Sequence, residues 1–418
     1  MIDSRTSRLL FALALGAPLT AACTKHITVD PRNVVEMTVR PYKGEGSFCP
    51  GSTFQIELVA TMNDGTYCSN LDKRSGCLGN SKAIIDPKDV RVTATNATSL
   101  ESPPYAWLPD PNPLETAATG LQLGGWVETK IEDKPMKTKF ARAALKPVYS
   151  CMASTIIMPD APLSAGANGV AGPDIDVYVT TLSTPYYPDA ILARVEAPSL
   201  GTVKYVISPS SERSLVIASK GQSGGRGFTG VHGHDGSPGV SSSSVCGTGG
   251  PGGAGGNGGP GGHGGNGGPG GYVRVYLDAA NAPALKSRVL VSSLGGDAGD
   301  GGSGGSGGSG GMGGSGGPSA DGCTGTRGPN GPSGMSGPSG RPGYPGSDGP
   351  PPKFFVQPRA TMFASERTKI HDIEAARGKG GSDAAPQSKV SATVEAKADS
   401  PDAETDKPAS KKKKKSGH

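Results

Sequence analysis

Glycine recurs with a period of three through the middle of this chain. Of 68 glycines, 50 fall between Gly221 and Pro351. Residues 221–241 and 322–351 carry glycine at every third position, whereas 248–271 and 300–317 carry two glycines in each triplet. A period of three is typical of a polyproline-II-type helix, which makes no internal hydrogen bonds and therefore needs neighbouring chains. With aromatic residues at only 5% of the composition, a uniform enzyme core of this length is excluded.

Three interpretations of these four tracts are open. A flexible Gly/Ser linker is the simplest, but a linker has no need of strict triplets. A collagen-like trimer suits the first and fourth tracts, whereas two glycines per triplet would give a weak triple helix. An intramolecular bundle of polyglycine-II helices is favoured by the order of elements, because a predicted strand stands at the base end of every tract.

The chain path through such a bundle predicts which two cysteines lie close together. If the strands form one base, tracts one and three run away from it and tracts two and four return. The links farthest from the base are then residues 242–247 and 318–321. Cys246 lies in the first link and Cys323 just beyond the second, so the threading predicts a Cys246–Cys323 bridge at the tip.

The triplet period and the multiple tracts resemble the polyglycine-II bundles of certain phage tail-fibre adhesins and of a glycine-rich insect antifreeze protein. The resemblance implies a rigid scaffold whose tip loops recognise a receptor in the first case, and whose flat face meets ice in the second. Ice binding needs a regular outward row of threonine or small residues. The outward residues of tract two are instead mixed: Pro251, Ala254, Asn257, Pro260, His263, Asn266 and Pro269.

The N-terminus has the features of an export signal. Arg5 and Arg8 precede an apolar run of about ten residues, which is too short for a permanent membrane span. The following Thr-Ala-Ala-Cys23 resembles the lipobox of bacterial lipoproteins, although threonine stands where leucine is usual. This resemblance implies cleavage before Cys23, acylation of that cysteine with palmitate-type chains, and durable membrane anchoring. The alternative is an ordinary signal peptide cleaved near Ala22.

The destination also follows from the lipobox resemblance. In enteric bacteria, aspartate after the acylated cysteine retains a lipoprotein at the inner membrane. Thr24 stands there instead. The sequence therefore predicts a bacterial outer-membrane lipoprotein, anchored by lipid and either surface-exposed or facing the periplasm.

Six cysteines remain besides Cys23, and an even number in an exported protein indicates disulfides. There is no Cys-x-x-Cys pair and no zinc-finger spacing of histidines, so a metal site is not expected. Cys68 and Cys77 flank a short polar loop, which favours a local bridge. The first choice for the others is a long-range Cys49–Cys151 bridge, with Cys246–Cys323 at the tip.

The remainder of the chain predicts a mainly β protein. Short alternating strands with turn residues between 34 and 216 favour an antiparallel sandwich. Phe48-Cys-Pro-Gly51, the apolar run ending at Ala60 and the turn at Asp64-Gly65 resemble bacterial immunoglobulin-like modules, which implies a fold class and no activity. The expected organisation is a signal peptide (1–22), a tether (23–33), a disulfide-bonded β-sandwich (34–172), a second β domain (173–375) carrying the glycine insertion (221–351), and a disordered tail (376–418).

The tail carries most of the net positive charge. A short helix is predicted from Ser365 through Glu374, and apolar periodicity ends near Ala376. The block Lys411, Lys412, Lys413, Lys414 and Lys415 is suited to anionic lipid, lipopolysaccharide phosphate or another anionic envelope polymer. The alternative is a merely solubilising end.

No catalytic signature is present in the sequence: there is no nucleophile elbow, zinc-protease motif or Walker loop. His232, His234 and Asp235 are interpreted as solvent-facing repeat residues rather than metal ligands. Asp297 and Asp300 lack the further acidic partners of a calcium site. We therefore predict no enzyme activity, cofactor, metal or nucleic-acid partner.

The predicted function is a structural or adhesive role at the cell envelope, with the glycine bundle as a rigid projecting scaffold. Its partners would be the membrane and a surface glycan or protein receptor. The alternative is an envelope-bound polysaccharide-binding module in which the glycine region is a flexible spacer.

Overall fold

The fold is mainly β, as predicted, with 34% strand and 12% helix. The signal segment, Cys23 and the lysine block Lys411–Lys415 lie outside the described residues. The computed structural model describes residues 25–44, 46–73, 77–79, 83–100, 106–160, 163–210 and 214–377.

The first region of the described chain folds into three sheets. Its strands are β1 Lys25–Ile27, β2 Val34–Pro41, β3 Ser47–Phe48, β4 Phe54–Met62, β5 Tyr67–Ser69, β6 Ala83–Ile85, β7 Val90–Ala94, β8 Ala97–Ser99, β9 Ala106–Pro109, β10 Leu121–Ile131, β11 Lys134–Lys137 and β12 Ala141–Pro147. One sheet has the order β2, β4, β9 and β8, with β5 also paired to β4. The second has the order β11, β10, β12 and β3, with β7 also paired to β10, and in the third β1 pairs in parallel with β6.

One apolar core joins these sheets. Ile56 and Leu58 of β4 are fully buried against Leu121 and Val127 of β10 in the same cluster. The interval 23–33 differs from the predicted tether. From Lys25 onward it belongs to the folded region, because β1 pairs with β6 and Val29 is fully buried.

The second region contains two sheets and three helices. Its elements are β13 Ser154–Ile157, β14 Ile175–Leu182, β15 Ala190–Ala197, β16 Thr202–Pro209, β17 Leu215–Lys220, β18 Val273–Asp278, α1 Ala282–Arg288, β19 Val289–Leu294, β20 Lys353–Gln357, α2 Arg359–Met362 and α3 Arg367–Arg377. The larger sheet has the order β16, β15, β14, β18 and β20, and the smaller, parallel sheet has the order β13, β17 and β19. Val177, Val195, Ile217 and Val275 are buried in the core that the two sheets share.

One boundary of this region differs from the sequence prediction. The range 34–172 assigns β13 to the first domain, but β13 pairs with β17 and so belongs to the second region. Between β18 and β19 the chain forms α1, in which Leu285 is buried against the core.

The two regions are in direct contact. Tyr149 and Leu114 of the first region share an apolar cluster with Leu192, Ile207 and Phe363. The cluster lies between the outer face of the larger sheet and the C-terminal helices. Within the described residues, three disulfides are present: Cys49–Cys151, Cys68–Cys77 and Cys246–Cys323. These are the pairs that the sequence predicted.

Candidate binding surfaces of the glycine tracts

Backbone hydrogen bonds join the glycine tracts to one another. The N–H of Gly233 in tract one donates to the carbonyl of Ser306 in tract three at 2.9 Å, and the N–H of Gly256 in tract two donates to that of His234 at 2.7 Å. Equivalent bonds recur every third residue. Along tract one, the residue numbers of the bonded partners in tract three increase, and the same holds between tracts two and four. Between tract one and tract two, and between tract three and tract two or four, the partner numbers decrease instead. Tracts one and three therefore run in one direction and tracts two and four in the other, as the threading requires.

A fifth tract, residues 164–173, was not recognised in the sequence. The N–H of Gly169 donates to Asn266 of tract two, and the N–H of Gly225 in tract one donates to Ala167. The signal was present, because Gly166, Gly169 and Gly172 keep the period of three. Three triplets between two β segments were simply too short to stand out. We call this segment the leading tract, and the five tracts together the tract array.

The tract array continues the two sheets of the second region. β17 and β19 lead into tracts one and three, while the leading tract, tract two and tract four lead into β14, β18 and β20. The residue register between neighbouring strands also continues into the tracts. Ile175 of β14 pairs with Val273 of β18, and in the array Asn168 contacts Asn266, also 98 positions apart. The sheets therefore fix the order, direction and register of the tracts.

The composition of each tract follows from the number of neighbours it contacts. Tract two lies against tracts one, three and four, and its two glycine rows face different partners. A Cβ on Gly252 would overlap the carbonyl of Gly311 in tract three, and a Cβ on Gly253 would crowd Ser237 in tract one. Tract four is peripheral and needs one glycine row, since a Cβ on Gly331 would overlap the carbonyl of Gly253.

One broad surface of the array is formed by tracts two and four, and we call it the proline face. Its side chains are the non-glycine residue of each tract-two triplet and the residue directly after each glycine in tract four. Met335 and Tyr344 are 73% and 78% exposed there. The rows are Thr248, Pro251, Ala254, Asn257, Pro260, His263, Asn266 and Pro269 in tract two, and Thr326, Pro329, Pro332, Met335, Pro338, Arg341, Tyr344 and Ser347 in tract four.

Much of the proline face has no free backbone donor. Three tract-four residues in this row are prolines without an N–H: Pro329, Pro332 and Pro338. The three others between 329 and 344 donate to tract-two side chains. The N–H of Met335 donates to Asn257 Oδ1, that of Arg341 to His263 Nδ1, and that of Tyr344 to Asn266 Oδ1, each at 2.9 Å.

The opposite surface is formed by tracts one and three, and we call it the serine face. It is polar and carries charges of both signs. Asp297 pairs with Lys220 at 2.7 Å, which lowers the pKa of the Asp297 carboxyl through a hydrogen bond and the neighbouring positive charge. Met312 is 65% exposed on this face. The rows are Ser223, Arg226, Thr229, His232, Asp235, Pro238 and Ser241 in tract one, and Asp300, Ser303, Ser306, Ser309, Met312 and Ser315 in tract three, with Asp297 three residues before that row begins.

The two histidines do not converge on a common ligand position. His232 lies on the serine face, where its Nδ1 is 2.6 Å from Ser306 Oγ, and His234 is in the other side-chain row of tract one. Asp235 instead accepts a hydrogen bond from the N–H of Ser309 at 2.7 Å. Among the residues that the structure describes, no group of three or more His, Cys, Asp or Glu side chains could hold a metal ion.

A polar cluster holds α3 against the larger sheet. Arg194 of β15 donates to Glu366 at 3.0 Å, and the hydroxyl of Tyr205 donates to the same carboxylate at 2.6 Å. Burial and the Glu366 carboxylate raise the pKa of Tyr205 to about 12. Burial alone would raise the pKa of Glu366, but the hydrogen bonds from Tyr205, Ser365 and Arg194 outweigh it and lower that pKa.

An aromatic row crosses the same sheet face. The rings of Tyr178, Tyr276 and Phe355 stack at centroid distances of 4.9 and 5.2 Å. Their positions follow from the register, since Tyr178 is opposite Tyr276 and Tyr276 opposite Phe355. The guanidinium of Arg194 covers the other side of Tyr178 at 4.5 Å. The outer side of Phe355, on the last strand of the sheet, is left as the accessible end of the row.

No helix in the described ranges has the length and apolar character to cross a membrane. Comparison with protein-family models, with curated proteins and with solved structures found no match to this chain. The functional conclusion therefore rests on the sequence and on the surfaces described above.

Proposed function

We propose that this chain is a non-enzymatic bacterial outer-membrane lipoprotein with a structural or adhesive role at the cell envelope. In this proposal Cys23 carries the lipid anchor, and Lys411–Lys415 settle on anionic lipid or polymer. The tract array is a rigid scaffold that projects from the β regions and carries binding surfaces away from the membrane.

The observation that carries the proposal is the hydrogen-bond network between the tracts. Each tract bonds to at least two others within one chain, which supports a bundle of polyglycine-II helices over a flexible linker or a collagen-like trimer. A tract of 21 residues, such as 221–241, spans about 65 Å at ~3.1 Å per residue. The Cys246–Cys323 disulfide closes the end of this span.

The finer description of the first region belongs to the same proposal. Two sheets that share one core support an immunoglobulin-like sandwich, closed by the Cys49–Cys151 bridge. Because β1 begins at Lys25, only one residue separates Cys23 from the folded region. An acylated Cys23 would thus hold the first region close to the membrane surface.

The test must shorten the array without damaging the β core. Deletion of residues 221–351 is unsuitable, because β18 and β19 lie inside that interval and contribute Val275 and Val289 to the core. The hydrogen-bond register allows a cleaner change: removal of residues 230–238, 252–260, 304–312 and 330–338 takes three triplets from each of the four tracts. The register of the inter-tract hydrogen bonds is kept, with Ser303 and Pro329 taking the places of the acceptors Met312 and Pro338.

We expect this variant to reach the cell surface at normal levels and to be about 28 Å shorter, at ~3.1 Å per residue. Adhesion of cells to surfaces or to one another should fall several-fold. The control is the full-length array with Ser303→Ala and Ser309→Ala, which keeps the reach. Unchanged adhesion in the shortened variant, at equal surface density, would overturn the scaffold proposal.

A second candidate is polysaccharide binding by the second β region, and the aromatic row favours it. Phe355 ends the stack at the sheet edge with 41% of its surface exposed, and aromatic faces supply apolar area that sugars can contact. In this proposal Phe355→Ala abolishes retention on envelope polysaccharide while Phe140→Ala, at a similarly exposed phenylalanine of the first region, does not. Equal retention of the two variants would remove this candidate.

A further inference from the structure

The two broad surfaces of the tract array differ in what they offer a partner. On the proline face, nine of the sixteen side chains are Pro, Ala, Met or Tyr, and Arg341 is the single permanently charged residue. On the serine face, seven of the fourteen side chains carry hydroxyl groups, and four others are charged: Arg226, Asp235, Asp297 and Asp300. Met, Tyr and Arg are enriched at protein interfaces, and other charged residues are depleted there.

The backbone chemistry of the proline face also disfavours a carbohydrate partner. From Pro329 to Tyr344, each residue of the tract-four row either lacks an N–H or donates it to a side chain of tract two. The amide oxygens of Asn257 and Asn266 are occupied by the same bonds. A sugar surface needs donors and acceptors to replace its lost water, whereas a flat apolar protein surface does not.

We propose that the proline face pairs with the proline face of a second copy of this chain, with the two arrays antiparallel. This use of the face rests on the proposed function, since it would join scaffolds that project from two facing surfaces. A twofold interface presents the same patch on both copies. No other protein is required to cover the apolar area.

The size of the face suits a dimer of moderate stability. Two rows of eight triplet positions give a surface roughly 65 Å long at ~3.1 Å per residue. With chains about 4.8 Å apart and side chains on both sides, it is about 10–12 Å wide. The product, about 650–800 Å², approaches the ~800 Å² that each partner buries in a standard stable interface.

The order of side chains along tract four selects the antiparallel arrangement. Consider a twofold axis perpendicular to the tracts that passes midway between Met335 and Pro338. It places each large side chain opposite a flat proline ring of the other copy: Tyr344 faces Pro329, Arg341 faces Pro332 and Met335 faces Pro338. The two Arg341 side chains are then nine residues apart along the array, about 28 Å at ~3.1 Å per residue.

A parallel pair would bring different residues together. Tract four of one copy would then lie on tract two of the other, so that Arg341 faces His263 and Tyr344 faces Asn266. Those tract-two side chains already hold the N–H groups of their own tract four. The parallel arrangement therefore places the Arg341 guanidinium against an imidazole and gives the tyrosine no apolar partner.

The test compares two exposed methionines on opposite faces of one array. Met335→Asp places a charge at the centre of the proline face, and Met312→Asp places the same charge on the serine face at similar exposure. Sedimentation equilibrium of the full chain carrying Cys23→Ser, from which the lipid would be absent, measures the dimer. We expect Met335→Asp to raise the dimer dissociation constant at least tenfold and Met312→Asp to change it less than twofold.

The orientation is tested by cross-linking two variants that each add one cysteine to the Cys23→Ser chain, with the three native disulfides intact. Tyr344→Cys mixed with Pro329→Cys should form an intermolecular disulfide, and Tyr344→Cys alone should not. A monomer at all concentrations up to several hundred micromolar, equal effects of the two methionine variants, or efficient self-linkage of Tyr344→Cys would each overturn the proposal. These measurements are made in solution and are therefore independent of the adhesion experiment. If the shortened array lost cell adhesion but still dimerised, the result would support the scaffold proposal and leave the dimer proposal intact.

Discussion

The β regions and the tract array are held together by opposite uses of side chains. In the first β region, Leu58 and Val127 fill a core from which water is excluded, and stability depends on side-chain volume. In the array the interior contains backbone alone. Gly252 and Gly253 are required there because a Cβ would occupy the space of a neighbouring chain. The array therefore depends on the absence of side chains at fixed positions and tolerates variety on its faces.

The difference has a consequence for function. A side-chain core couples the surface to the interior, because most strands alternate between them. In the tracts, the outward side chains lie outside the packed backbone, so prolines, serines and large residues all occur on the proline and serine faces. Side chains on these faces can therefore change with little effect on the packing of the tracts.

The largest expected effect comes from adding methyl groups inside the array. Gly302, Gly305 and Gly308 of tract three each lack space for a Cβ, which would overlap the carbonyls of Phe228, Val231 and His234 in tract one. Replacing all three with alanine should destabilise the array by about 3–9 kcal/mol, at about 1–3 kcal/mol for each overpacked site. The matched control, alanine at Ser303, Ser306 and Ser309, should cost less than about 1.5 kcal/mol in total. Limited proteolysis followed by mass mapping measures the difference, and equal protection in both variants would contradict backbone packing.

Much of this architecture could be predicted from the sequence because its signals are periodic. The triplet period located the four long tracts, and the strands at their ends gave direction and the pairing of Cys246 with Cys323. The leading tract was missed because three glycines do not establish a period by themselves. Its role depends on Asn168 and Asn266 meeting across 98 positions, which no local pattern reveals. The proline and serine faces were likewise hidden, since which residues share a surface depends on the neighbours of each tract.

The tip disulfide tests whether the array also needs covalent closure. In the chain-entropy description, the Cys246–Cys323 bridge, with a separation of 77, contributes about 4.5 kcal/mol, against about 2.6 kcal/mol for Cys68–Cys77 with a separation of 9. Replacing Cys246 and Cys323 with serine should release the tip while the base, fixed by β17–β19 and β14–β18, stays protected. Amide hydrogen exchange resolves the two ends. Loss of protection along the whole array would show that backbone bonds alone do not hold it.

Low pH should affect the second β region more than the tract array. The pKa of Glu366 is lowered in the folded protein by Tyr205, Ser365 and Arg194. The carboxylate therefore contributes stability above its unfolded pKa of about 4.3, and this contribution is lost as the pH falls through the lower folded value. Glu366→Gln should reduce stability at neutral pH by about 1.5–3 kcal/mol, the range for hydrogen bonds to a charged group, and flatten the acid dependence. Asp372→Asn on the exposed side of α3 is the control.

The measurement is thermal unfolding of the second β region between pH 2 and pH 7. Hydrogen bonds between neutral backbone groups hold the tracts, so protection of the array should change little over the same range. If the array lost protection in step with the titration of Glu366, the two regions would unfold as one unit and the distinction between them would fail.

The smallest expected effect concerns a single backbone donor on the proline face. Asn257→Ala leaves the N–H of Met335 without its 2.9 Å acceptor, at a cost of about 1 kcal/mol because water can partly replace it. Met335→Pro removes that donor, and proline suits the extended backbone of a tract, as Pro332 and Pro338 show at equivalent positions. The proline should therefore be more favourable in the Asn257→Ala background than in the natural chain. A double-mutant cycle on thermal stability measures this coupling. A coupling energy of zero would mean that Asn257 does not satisfy the donor. The placement of asparagine or histidine in tract two opposite each non-proline residue of tract four between 329 and 344 would then have another origin.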